Sequence, residues 1–341
     1  MSVRRPQSLR SPHGFTLVEL MVALLLGLIV IGGATSVMLA NRQSYRTNEA
    51  LSQVQESART AFELLARDLR QAGATGCDNT GRVGTVLGAG PWWRDWGGLI
   101  GYDAGTENPA VAVGTEPQAR VAGTDSFQIH STDGAAFSLE THDPATGSMK
   151  LNATAPAIQV DDILLVCDFD HATIFQVSQY TSGTATLAYG SGGGQSPGNC
   201  TTGLGYPPAA CGANPGNTYT FAPNSQVARL SAVSWYIGNN DRPEEGGRSL
   251  YRVRLGPGAT TVTEEVVAGV IDLQLQYRVE GTTAFVDASA LSAADWPNVN
   301  AVTLTLTMDS ADQNVATTQG TNNARVQRSF THLVTLRNRV P

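Results

Sequence analysis

The sequence predicts an α+β protein, with one long N-terminal helix followed by a large antiparallel β-sheet body with long loops. Three observations carry that prediction. Residues up to about 40 hold an unbroken apolar run, the next thirty keep a helical apolar spacing, and the chain after Gly73 alternates in short β-branched segments between Gly/Pro-rich turns. Composition agrees: of 341 residues, 36 are Gly and 16 are Pro, and only 15% are charged, which suits strands and loops. The length allows one large domain or two ordinary ones beyond any anchor.

The first element opens with "SPHGFTLVELMVALLLGLIVIGG" from Ser11. Leu20 to Ala40 is about 21 residues without a charge, enough to cross a bilayer as a helix. Arg4, Arg5 and Arg10 precede it and, by the positive-inside rule, hold the N-terminus in the cytoplasm and send the body outward. Arg42 and Arg46 on the far side weaken that contrast without reversing it. A secretory signal peptide is the plainer alternative, but its apolar core is about 7–15 residues and ends at small residues. Here the run is longer, and position 38 is Met. Glu19 is the anomaly: an acid at the centre of a spanning helix costs about 2.5–3.5 kcal/mol on insertion scales.

The helical pattern continues past Ala40. "NRQSYRTNEALSQVQESARTAFELLARDLRQAGATG" sets Leu51, Val54, Ala58, Phe62, Leu65, Leu69 and Ala72 at spacings of three and four, one apolar stripe on a polar helix. No proline occurs from Phe15 to Gly76, and Gly73 supplies a stop. The expectation is one helix of about 58 residues, about 87 Å long. Residues 15–40 would lie in lipid and residues 41–73 against a globular body.

Residues 74–341 form that body. Strand-like runs include "DSFQIH", "DILLVCDFDHATIFQVS", "TATLAY", "VARLSAVSWYIG", "SLYRVRL", "VIDLQLQYRV", "NAVTLTLTM" and "RSFTHLVTLRN". "SWYIGNNDRPEEGGRSLYRVRL" reads as a hairpin with Gly246 and Gly247 in its loop. "SALSAADWPN" has room for a single helical turn. No repeat or linker divides the body, which reads as one sheet unit or two sublobes.

The four cysteines, Cys77, Cys167, Cys200 and Cys211, form no CxxC pair. In an exported chain they favour two disulfides over free thiols. Cys200 with Cys211 closes the short Gly/Pro loop "TTGLGYPPAA", which leaves Cys77 with Cys167.

Sites for chemistry are scarce. The five histidines form no HxxxH or HExxH, "SGGGQS" lacks the Lys-Ser/Thr of a phosphate loop, and no G-x-S-x-G is present. In "DDILLVCDFDH", Asp168 and Asp170 would share a strand face with Asp161 and Asp162 at its start; an extended strand does not curl round calcium, so no metal site is expected. A net charge of −7 without a basic stripe argues against direct nucleic-acid binding. Trp92, Trp93 and Trp96 crowd a Gly-rich loop after the helix. They read as a plug between helix and sheet or, alternatively, as a partner interface.

"GFTLVELMVALLLGLIV" resembles the class III signal of type IV prepilins: a short basic leader, Gly14, an aromatic Phe15, and Glu19 five residues into the mature chain. "EEVVAGVIDLQLQYRVE", "WPNVNAVTLTLTMDS" and "VQRSFTHLVTLRNRV" resemble the PilW-type minor pilins, as does the "WYIG…SLYR" hairpin. The resemblance implies a pilin-like fold and a non-catalytic protein without a cofactor. It implies that prepilin peptidase removes residues 1–14 between Gly14 and Phe15 and N-methylates Phe15. Loss of Arg4, Arg5 and Arg10 would take the formal charge from −7 to −10. Glu19 would be the assembly acid, meeting the Phe15 amine of a neighbouring subunit. The implied partners are other minor pilins, the major pilin, a pilus tip adhesin, the inner-membrane assembly platform and inner membrane lipid. The implied location is a single-pass inner-membrane protein with a periplasmic body, held there or carried into the extracellular pilus. A J-type pseudopilin of a type II secretion system and a membrane-anchored periplasmic binding module are the rival readings.

Overall fold

A computed structural model describes residues 14–77, 81–155, 157–208, 211, 216–316 and 325–336. The leader arginines and the last residues of "RSFTHLVTLRN" lie outside them. The helix α1 runs Leu17–Gln71, 55 residues, close to the expected span. Thr16 caps it with an extended backbone, its hydroxyl accepting from the Glu19 N–H at 3.2 Å. At the far end Gly73 turns with φ +79°, where a side chain would be strained, and donates its N–H to the His130 carbonyl at 2.8 Å.

The buried line of α1 is Ala50, Val54, Ala58, Ala61, Leu65, Ala66 and Leu69. This corrects the expected stripe in one respect. Leu51 and Phe62 flank the line half-buried, and the small Ala50 and Ala61 occupy it. Alanines there let the helix axis lie close to the sheet.

Fourteen strands follow among the described residues: β1 (Val83–Thr85), β2 (Leu99–Tyr102), β3 (Ser126–Asp143), β4 (Ser148–Leu151), β5 (Ile163–Cys167), β6 (Ala172–Gln176), β7 (Gln179–Thr181), β8 (Thr186–Ala188), β9 (Gln226–Asn239), β10 (Arg248–Leu255), β11 (Thr261–Ala268), β12 (Val270–Val279), β13 (Val299–Asp309) and β14 (Gln327–Thr335). The body is antiparallel except where β1 pairs with β6 in parallel. It is two sheets, not one: β12–β13–β14 stands apart from the other eleven strands. The "SALSAADWPN" stretch holds two short 3₁₀ turns, Ala288–Ala290 and Trp296–Asn298.

The long antiparallel pair β3 and β9 is the spine. Its pairing jumps from Thr132↔Leu230 to Ala136↔Ala228, a bulge that bends β3 at Asp133–Ala135 and divides the sheet into two lobes. On one side of the bulge β2 flanks β3, and β10 with β11 flanks β9. This proximal lobe, the β12–β14 sheet and α1 enclose the main core, with Leu65, Leu69, Phe127, Trp235, Leu250, Leu273, Tyr277 and Leu304 all buried. On the other side β4, β8 and β7 extend from β3, while β5, β6 and β1 extend from β9. Both faces of this distal lobe carry apolar clusters, which is why Ile163–Cys167 and Ala172–Gln176 are buried at every position.

The direction of α1 orients the lobes. Asp68 meets Trp235, Gly73 meets His130 and Ala74 meets Thr132, so β3 and β9 run on past the helix end into the distal lobe. The distal lobe is therefore the pole opposite the apolar half of α1.

Candidate assembly surface

Gly14 and Phe15 lie at the head of the helix, with Phe15 85% exposed and Glu19 exposed one turn on. The cap places Glu19 in the first turn, where the partial positive charge of the helix N-terminus favours a carboxylate. From Leu17 to Leu39 the large apolar side chains are bare, and α1 is long and apolar enough to cross a membrane. Nothing lies within 4 Å of the space a side chain would take at Gly27, Gly32 or Gly33, so a second helix has room to approach there. Thr35 and Ser36 donate to the carbonyls of Ile31 and Gly33, each at 2.8 Å, which satisfies both hydroxyls inside the helix.

The second half of α1 is fastened to the body along its length. Gln43 and Thr47 donate to the Val315 carbonyl. The buried Trp235 indole donates to Asp68 at 2.9 Å, and the Arg252 guanidinium lies 5.5 Å from the indole centre. Burial raises the Asp68 carboxyl above its ordinary value, against the opposing hydrogen bond from Trp235. Both expected disulfides are present, Cys77–Cys167 and Cys200–Cys211, with Cα–Cα distances of 6.0 and 5.5 Å. The first ties the segment leaving α1 to the end of β5.

The tryptophan loop is largely interior. Trp93 is 2% exposed among Leu87, Leu165, Ile174 and Leu230, with Trp92 and Trp96 half-buried on the same cluster. In this fold the Trp93 side chain faces the sheet, so of the interface expected at Trp92, Trp93 and Trp96 only the partly exposed edges of Trp92 and Trp96 reach the surface. They pack across the bulge rather than under α1: Trp93 sits on the β5–β6 cluster, Trp92 also touches the Tyr236–Tyr251 cluster, and Trp96 lies 6.0 Å from the His130 ring.

The "DDILLVCDFDH" stretch is a hairpin, not one strand. Asp168 and Asp170 sit in the turn between β5 and β6, because the Asp168 carboxylate accepts the N–H groups of Asp170 and His171 and closes the turn. Asp162 is buried and paired with Arg229 at 2.5 Å. Among the described residues no three His, Cys, Asp or Glu side chains cluster as metal ligands.

Sequence reasoning did not find the polar joint between the proximal sheet and β12. Arg120 is fully buried and donates to the carbonyls of Tyr102, Asp103, Thr106 and Thr124. Beside it Asp125 accepts the Leu275 N–H at 2.8 Å, and burial pushes its carboxyl up to about 6. An isolated Arg and Asp in loop sequence give no signal that each will be buried against backbone groups there. His130 and His142 are pushed down to about 4 by burial, which keeps both rings neutral at physiological pH.

A bare apolar helix half with a capped acid at its head, continuous with a half fastened to a β-body, defines a pilin-like subunit. Residues 9–35 match the family described as Prokaryotic N-terminal methylation motif, and residues 234–338 match Type IV Pilus-assembly protein W. Both matched families are of pilus structural and assembly proteins rather than known enzymes, and together they support a minor-pilin-like role in the type IV pilus. Comparison with curated proteins and with solved structures gives no match. The PilW match begins within β9 and takes in β10 to β14, leaving strands β1 to β8 outside it.

Proposed function

We propose that the protein is a minor pilin of the PilW type, stored in the inner membrane by residues 15–40 with its body in the periplasm. It joins other minor pilins in the complex that primes pilus assembly and presents a tip adhesin. Prepilin peptidase cuts after Gly14 and methylates Phe15. The observation that carries this reading is the contrast along one helix: its second half is buried against the sheets, while its first half meets nothing in its own chain. Such a surface is satisfied by lipid in storage and by neighbouring subunit helices in the fibre.

Glu19 makes the transfer selective. A carboxylate and a free amine are each costly in an apolar bundle, and a pair offsets much of both costs. A subunit leaving the bilayer is therefore favoured at the axial offset that sets its Glu19 beside the Phe15 amine of a neighbour. N-terminal mass analysis of the mature protein tests the reading: a chain beginning at N-methylated Phe15 is expected, and a chain still beginning at Met1 refutes it. Glu19→Ala should leave a cleaved, membrane-inserted protein that is recruited at least about tenfold less well, a loss of about 1.4 kcal/mol. Normal piliation in that variant would refute the pairing.

A further inference from the structure

Phe169 is the most exposed large apolar side chain among the described residues of the body, at 84%. It stands at the tip of the β5–β6 turn, on the distal pole, and the turn is held from every side. Asp168 closes it through the N–H groups of Asp170 and His171 and accepts the Tyr219 hydroxyl at 2.6 Å. Asp170 is bound by Arg82 at 2.9 Å and by His171 at 2.8 Å, and Cys167 is locked to Cys77. An aromatic ring presented in water on a rigid turn loses little further freedom on docking, which is the property of an anchor residue. Arg82 offsets one of the two flanking carboxylates, so the rim of the knob keeps a negative charge.

A patch of matching character lies midway along α1, where the body begins to cover the helix. Where α1 leaves its apolar half, Val37, Met38 and Tyr45 are 61%, 54% and 70% exposed. They line a shallow, open groove on one face of α1 with Arg42 and Arg46, which have no ion-pair partner among the described residues. The helix alone sets about 38 Å between Arg46 and Gln71, at 1.5 Å per residue. The knob therefore has no access to its own groove.

We propose that Phe169 docks on the Val37–Met38–Tyr45 face of a second copy of this chain, with Arg42 and Arg46 against the Asp168–Asp170 rim. Knob and groove are different, well separated surfaces, so the contact is head-to-tail rather than isologous. The groove reaches into the segment read as membrane-spanning, so lipid covers part of it until the subunit is drawn out. The docking rests on the pilin reading and adds to it a contact made by the distal lobe, outside the PilW-matched region.

The test places photoreactive p-benzoylphenylalanine at position 169 of the full chain, co-expressed in piliated cells with a second, differently tagged copy. Ultraviolet light should join position 169 to residues 34–46 of the second copy. Arg42→Glu with Arg46→Glu on that copy should cut the yield about tenfold, from two exposed charge pairs turned repulsive. Absence of the cross-link, a cross-link only to another protein or another segment, or a yield indifferent to the charge reversal overturns the docking, provided non-reducing gels show both disulfides formed. The mass of the N-terminus is read from the same sample. A methylated Phe15 without the cross-link removes the docking and leaves the pilin reading standing, whereas an uncut leader removes the pilin reading itself.

Discussion

Asp68 offers the sharpest check on how the helix is fastened. Its carboxylate is the acceptor for the indole N–H of the fully buried Trp235, and burial holds it above its ordinary value of 3.8. Asp68→Ala leaves that N–H without an acceptor, which costs about 1–3 kcal/mol. For a chain of this size each kcal/mol shifts Tm by about 1–2 °C, so a fall of about 1–6 °C is expected. Asp68→Asn keeps an oxygen for the indole and removes the desolvated charge. A group raised in the folded state favours folding fully below its unfolded value, and that contribution is lost as pH rises through the folded value. Asp68→Asn should therefore match or exceed the parent protein at pH 7, with any advantage fading as pH falls toward 4. Thermal melts of the full chain in detergent, followed by circular dichroism from pH 4 to 8, measure both variants. If Asp68→Asn loses as much as Asp68→Ala at pH 7, attraction of the carboxylate to Arg252 and Arg67 outweighs its burial, and the reasoning fails.

Three further outcomes are expected. Asp125→Asn keeps an acceptor for the Leu275 N–H and removes a carboxyl raised to about 6, so it should raise Tm at pH 7.5 and leave it unchanged near pH 4; a pH-independent gap would contradict this. Replacing Cys77 and Cys167 by serine opens a loop of sequence separation 90, against 11 for Cys200 and Cys211, so denaturant midpoints should show losses of about 4.5 and about 3 kcal/mol respectively, in that order. Gly101→Ala would drive a Cβ into the Tyr277 hydroxyl in the joint between the sheets, and should cost at least about 1–3 kcal/mol by the same assay.

Much of the architecture was legible because its periodicities are strong. Val302, Leu304, Leu306 and Met308 alternate cleanly, and all four are buried in β13. The length of β3 was not legible beyond "DSFQIH", because "STDGAAFSLETHD" is polar with a central Gly; it is a strand because β9 and β4 pair along it on either side of the bulge. The hairpin within "DILLVCDFDHATIFQVS" was hidden by β-branched residues on both flanks, and the local Asp168 hydrogen bonds decide it. At the candidate site, the place of Gly14, Phe15 and Glu19 at the head of the long helix was legible from the start of the apolar run. Phe169 was not, since a phenylalanine between Asp168 and Asp170 in a stretch read as one strand takes the face opposite the acids and reads as core until the turn that lifts it out is seen. The Asp68–Trp235 contact spans 167 positions and has no local signature.

The bond between Cys77 and Cys167 governs how this molecule bears tension. A pull delivered along α1 leaves the helix at Gly73 and reaches Cys77 within a few residues, where the sulfur bridge passes it directly into β5. While the bridge holds, the chain between the two cysteines, of sequence separation 90, has no means of paying out as slack. From β5 the force enters β9, whose rungs to β3 lie across the direction of pull and yield together rather than one at a time. The rod and the far lobe are thereby joined as a single stiff strut, able to push or be pulled without lengthening.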